Sequence, residues 1–194
     1  MRIASLADKN LVAEILVSAF LSLKERSSVN LVVKQDKKRT QRMRALMEYL
    51  FEKAISFGEI YISDNDKACI LLLFPHTEKI TSKTILLNIQ LAFKCIGIER
   101  VFSVLKRQRI TKRNYPPKGK YIIPLIMGVN NNCKGNGTAA RLMIEVKNYY
   151  KNNKLPVIVD AASIKNVNLY KKFGFNVFKD EKSLGFPLYF LRLN

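Results

Sequence analysis

At 194 residues, 48% hydrophobic and 25% charged, the chain suits one domain with a sizeable core; two domains would each be thin. Its formal charge of +19 draws anionic partners, although Lys, Asn and Ile recur throughout and part of that charge reflects composition. Three scattered cysteines and a single histidine argue against a disulfide framework or a zinc site, and no apolar run approaches the roughly 20 residues of a membrane span, so no metal and no membrane partner are expected.

The first residues, Met1 to Asp8, lack a long apolar stretch before a cleavage site, and a cytoplasmic location is expected. Ile3 to Ser5 reads as a short strand. Asp8 reads as the cap of a helix carrying Leu11, Val12, Ile15, Leu16, Ala19 and Phe20 on one face. A second helix places Met43, Leu46, Met47, Leu50, Phe51, Ala54 and Ile55 together and stops at Gly58. Glu59 to Ser63, a turn at Asp64-Asn65-Asp66, and Lys67 to Pro75 predict an antiparallel hairpin. Thr81 to Gly97 predicts a helix with Ile85, Leu86, Ile89, Phe93 and Ile96 inward, followed by a basic helix from Glu99 to Arg109. Asn114 to Gly119, with two prolines and a glycine, is the clearest loop.

Tyr121 to Met127 is a buried strand by composition, and the spacing of Ala139, Leu142, Met143, Val146 and Tyr150 predicts a helix. Between them lies Asn132-Cys133-Lys134-Gly135-Asn136-Gly137-Thr138. Glycines at a strand-to-helix junction let backbone N–H groups approach a ligand at the positive end of the helix dipole, which makes an anion site. An Asn136-Gly137 hairpin turn is disfavoured by the helical pattern downstream. A P-loop lacks its lysine, since Gly137 is followed directly by Thr138. A dinucleotide fold lacks a third glycine, though Asp160 falls near the acidic position it would need. Cys133 sits in the glycine loop before the helix and reads as a tolerated loop residue rather than a nucleophile. Leu155 to Ala161 is then a strand, Asn166 to Phe173 a helix stopped by Gly174, and Asn176 to Lys179 and Phe186 to Arg192 two terminal strands. The order predicts one mixed α/β (α+β) domain over 1–194, without internal repeats.

Two of these segments together resemble the GNAT superfamily of acyl-CoA-dependent N-acetyltransferases. Asn132, Gly135 and Gly137 correspond to its pyrophosphate-binding motif, in which Gln or Arg is usual where Asn132 stands. Asn168-Leu169-Tyr170-Lys171-Lys172-Phe173-Gly174-Phe175 is similar to its Leu-Tyr-x-Lys-x-Gly-Phe helix, with Ser163 standing where asparagine is common. The resemblance covers about residues 121–179. It implies a twisted mixed sheet splayed at its middle and flanked by helices, with a helical insertion at about 81–113 before the cofactor-binding strand.

It also implies acetyl-CoA as co-substrate. Main-chain groups of Met127 and Val129 would pair with its pantetheine arm, Asn132, Cys133, Lys134, Gly135, Asn136, Gly137 and Thr138 would surround its pyrophosphate, and Ser163 and Tyr170 would complete the site. The reaction would be direct attack by a primary amine, from a small molecule or a peptide. Tyr170 would donate to the leaving thiolate and the Met127 amide to the carbonyl oxygen. An amine of pKa near 10.4 is about one part in 10³ neutral at pH 7, a penalty of about 4 kcal/mol that calls for a base. Glu59, Asp160 and His76 are the candidates, with a water relay as the alternative. The rival to this enzyme is a basic nucleic-acid- or ribosome-associated module that keeps the fold, although its basic runs lack the interleaved aromatics suited to base stacking.

Overall fold

The computed structural model describes residues 1–24, 27–116, 120–153 and 155–193. Its strands form two antiparallel sheets. The first runs β1 (Arg2–Ile3), β2 (Gly58–Ile62), β3 (Ala68–Leu73), β4 (Ile123–Val129) in spatial order, and the second runs β5 (Val157–Ala161), β7 (Leu188–Leu193), β6 (Asn176–Glu181). The sheets meet at one parallel bridge, Ile122 to Val157. There the Ile122 N–H donates to Pro156 O at 3.0 Å, and the Ile158 N–H donates to Ile122 O at 2.9 Å. Beyond this point β4 and β5 make no further pairing among the described residues, so the sheet is splayed, as expected.

Alternation along the strands sorts two cores. Ile60, Ile62, Cys69, Leu71 and Ile126 pack against α1 (Lys9–Phe20) and α3 (Arg39–Phe57). Tyr61, Ala68, Ile70 and Leu72 face α6 (Thr138–Tyr149) through Leu142 and Val146. At Gly128 a Cβ would lie 2.9 Å from Leu16 Cδ2 and 3.1 Å from Ala19 Cβ, so the glycine lets α1 cross β4 closely. In the second sheet, Val159, Ala161 and Leu191 pack with Val167 of α7 (Ile164–Lys172), while Ile158, Leu188 and Phe190 pack with Tyr115 and Tyr121.

The predicted hairpin forms, with Gly58 opposite Leu73 and Ile62 opposite Cys69. The Ser63 hydroxyl accepts from the Ala68 N–H at 2.9 Å and closes the turn. Several local expectations need correcting. Asp8 is not the side-chain cap of α1; it closes a preceding turn, accepting from Ser5 N at 2.8 Å and pairing with Arg2 at 2.8 Å. Gly58 has an extended backbone rather than a left-handed cap, and its necessity is steric: a Cβ would lie 2.0 Å from the Leu72 carbonyl oxygen. A short helix, α2 (Ser28–Val32), was not anticipated; Ser27 caps it by accepting from the Asn30 N–H.

The largest correction concerns α4 (Ser82–Leu91), which continues through a π-turn at Ala92–Ile96. Its inward residues are Leu91, Cys95 and Ile96, while Ile85, Leu86, Ile89 and Phe93 face solvent. Both faces are apolar, so periodicity alone could not choose between them. The basic helix is α5 (Val101–Asn114), and the loop expected at 114–119 lies in part, at 117–119, outside the described residues.

Candidate active site at the splay

The register of β4 fixes where its peptide groups point. The Asn130 N–H donates to Lys67 O at 2.7 Å, whereas Ala68, opposite Val129, has its carbonyl engaged with Ser63 of the other neighbour. Antiparallel pairs alternate between bonded and non-bonded residues. Gly128 and Ile126 therefore address β3, and Met127 and Val129 address the splay. Their N–H groups have no partner among the described residues. Earlier in β4 the register jumps from Leu71 opposite Ile126 to Leu72 opposite Pro124, so Leu125 is a β-bulge. Such bulges bend a strand and increase its twist.

The free edge runs into the glycine loop. Asn130 Oδ1 accepts from the Asn132 N–H at 3.1 Å, and the Asn131 N–H donates to Ser18 Oγ of α1 at 3.0 Å, which ties the loop to the core. The Cys133 and Lys134 N–H groups turn back to Asn130 O and Asn131 O. Gly135 and Gly137 have φ of +85° and +81°, and a Cβ on either would meet nothing within 4 Å. Gly137 is the N-cap of α6 and brings no capping side chain; the Thr138 N–H is covered by Asn136 Oδ1 at 3.2 Å. The N–H groups of Gly135, Asn136 and Gly137 have no partner among the described residues. Open space and exposed donors at a helix start form a cradle for an anion.

Across the splay, Ser163 caps α7, its hydroxyl accepting from the Asn166 N–H at 3.3 Å. Tyr170 follows two turns later, its ring 5.3 Å from that of Phe175. Its hydroxyl has no hydrogen-bond partner among the described residues. Burial first, and then the negative charge of Asp160, push its pKa up to about 12. A phenol held this strongly protonated is a hydrogen-bond donor rather than a source of free protons.

The three candidate bases do not share one place. Asp160 of β5 ion-pairs with Arg107 of α5 at 2.5 Å and accepts from the Tyr115 hydroxyl at 3.0 Å. Sequence reading missed both partners, since no local spacing links residues so far apart. Glu59 lies on β2, two strands from β4 and on the α6 side. Its Oε2 accepts from the Tyr61 and Tyr150 hydroxyls, whose oxygens are 3.2 Å apart. Burial, reinforced by the bond to Glu59, raises both phenol pKa values, so both remain donors. His76 is exposed past the end of β3 and stacks on Phe74, which in turn meets Tyr150 edge-on. No group of three or more His, Cys, Asp and Glu side chains among the described residues could hold a metal ion.

Residues 125–184 match the acetyltransferase (GNAT) domain family, a stretch reaching from within β4 through the glycine loop, α6, β5 and α7 to just past β6. The chain has the fold of the GNAT acetyltransferases. Among solved structures it resembles a histone acetyltransferase HPA2 and related acetyltransferase from Corynebacterium glutamicum, with 17% identity, a TM-score of 0.67, and coverage of 98% of this chain and 93% of that one. It is similar to the C-terminal condensation domain of Ebony, solved in complex with beta-alanyl-dopamine, with 12% identity, a TM-score of 0.67 and coverage of 99% and 97%. Arylalkylamine N-acetyltransferase 2 from Aedes aegypti shares 14% identity at a TM-score of 0.63, with coverage of 99% and 96%. A search of curated proteins by sequence finds no match. Among the described residues no helix is long and apolar enough to cross a membrane.

Proposed function

We propose that the chain is an N-acetyltransferase that moves an acetyl group from acetyl-CoA to a primary amine by direct attack. One observation carries this reading: the unpaired inner edge of β4 at Met127 and Val129 leads, through one turn at Asn131–Cys133, into an open glycine cradle at the start of α6. An edge strand of this kind binds an extended amide-bearing arm as an added strand, and the cradle receives a pyrophosphate. Acetyl-CoA carries both groups in that order, and its thioester supplies the activated acyl group. The Met127 N–H is positioned on the splay side to donate to a developing oxyanion. Tyr170 donates to the departing sulfur. With its pKa near 12 against a thiol's reference of about 8.5, complete proton transfer is uphill by about 5 kcal/mol, so its contribution is a charge-stabilising hydrogen bond.

For the amine proton we favour Glu59 acting through water. Asp160 has both oxygens committed to Arg107 and Tyr115, and His76 stands outside the sheet. Arylalkylamines and β-alanyl-dopamine, associated with the similar structures, support a small-molecule amine acceptor for this chain. The +19 charge favours a second reading, a nucleic-acid-binding module with little catalysis.

Thermal unfolding with acetyl-CoA, desulfo-CoA and ATP at two salt concentrations separates the two. Saturation at 100 times Kd adds about 2.7 kcal/mol, a shift of a few degrees. Salt-resistant stabilisation by both CoA compounds but not by ATP supports the enzyme, and acetyl release with a panel of amines then completes the assignment. An equal shift with every polyphosphate, abolished by salt, supports the module.

A further inference from the structure

The outward faces of α4 and α5 are unpartnered and amphipathic. Leu91, Cys95, Ile96 and Val104 seat both helices on the core shared with α3. Opposite those positions α4 presents Ile85, Leu86, Ile89 and Phe93, and the segment continues with Ile98 and Phe102; Phe93 is 63% and Phe102 82% exposed. A helix apolar on both faces is ordinarily buried on both, so this ridge lacks its second contact. Along the same segment Lys79, Lys94, Arg109, Lys112 and Arg113 are exposed and without an ion-pair partner among the described residues, Arg109 and Arg113 falling at helical spacing on the Phe102 side of α5. Between Lys79 and Arg113 the only acidic side chain is Glu99, which Lys34 neutralises.

We propose that this face docks on an anionic phospholipid membrane, the α4 ridge lying in the interface and the basic residues on the headgroups. The expectation of no membrane partner rested on spanning segments, and a helix lying in the interface plane needs none. Charge selects this occupant. A second copy would set a face of the same positive sign against this one, and a nucleic acid would find aliphatic side chains along α4 where it needs cations. A row of exposed Ile, Leu and Phe on a segment that also exposes unpaired Lys and Arg matches a fluid apolar layer beneath negative headgroups. The proposal is independent of acetyl transfer.

The chain contains no tryptophan, so Phe102→Trp gives a single emission reporter at an exposed position. With vesicles of phosphatidylcholine and phosphatidylglycerol the emission shifts to the blue and is quenched by bromine on the acyl chains; with phosphatidylcholine alone it does not change. Adding Ile89→Ser and Phe93→Ser lowers vesicle partitioning about tenfold or more while the unfolding midpoint is retained. Arg109→Gln with Arg113→Gln weakens partitioning and reduces its salt dependence. The proposal is overturned if emission is unmoved by the anionic vesicles, or if binding is indifferent to Ile89 and Phe93. It is equally overturned if the emission change tracks protein concentration without lipid and a dimer sediments, or if RNA alone reproduces the blue shift.

Discussion

Tyr170 separates binding from chemistry most cleanly. Its ring packs on Phe175 and its hydroxyl is unclaimed by protein, so Tyr170→Phe keeps the packing and removes only the donor. The expected result is a fall in kcat of about 10²-fold, within the range for loss of one transition-state donor, with acetyl-CoA affinity nearly unchanged; steady-state kinetics beside calorimetric binding would show it. Equal losses in both would place the hydroxyl in ground-state binding. Asp8 gives a second test. Its pKa is held at about 2, first by Arg2 and then by the Ser5 N–H, against an unfolded value of 3.8. The stabilisation is therefore present above about pH 4 and lost as pH falls through 2. Asp8→Asn should lower the midpoint at neutral pH, and the gap to the parent chain should close between pH 4 and pH 2. Tyr170 was legible in the sequence because its motif is local. The Glu59–Tyr61–Tyr150 and Asp160–Arg107–Tyr115 groupings were not, since each joins distant elements through tertiary packing.

Among elements, the glycines divide by what surrounds them. Gly58 lies against the Leu72 carbonyl, where β2 begins directly from α3. Gly58→Ala forces backbone apart and should destabilise by about 3 kcal/mol or more, measured by denaturant unfolding. Gly135 faces open space at positive φ, so Gly135→Ala should cost about 1 kcal/mol of stability while reducing acetyl-CoA affinity by a larger factor, because the new methyl enters the cradle. Helices α1 and α3 and the β2–β3 hairpin were legible because each has one apolar face or a clear alternation. The orientation of α4 was not, because its sequence is apolar on opposite sides and only the shared core with α5 decides which side turns in. Glu59 was legible as the start of a strand, but its separation from the splay by β3 and β4 was not, because strand order is not written in local periodicity.

At the scale of the whole molecule, the two sheets are joined along the chain's middle by one parallel bridge at Ile122 and Val157. Motif pairing over residues 121–179 was sufficient to anticipate that division, since the glycine loop and the Tyr170 helix must flank a common opening. The charge could not be assigned in the same way: +19 is a sum, and only the structure distinguishes Arg107, consumed by Asp160, from Arg109 and Arg113, which face solvent.

The alternating direction of the β4 peptides also sets a clock. Backbone amides exchange with solvent deuterium at rates that follow their protection, so neighbouring residues of one short strand should differ: Gly128 and Asn130 slow, Met127 and Val129 fast. Acetyl-CoA should erase that alternation by slowing the fast pair alone, and residue-resolved exchange would then record the co-substrate as an added strand, laid into the gap that the strands of the described residues leave open.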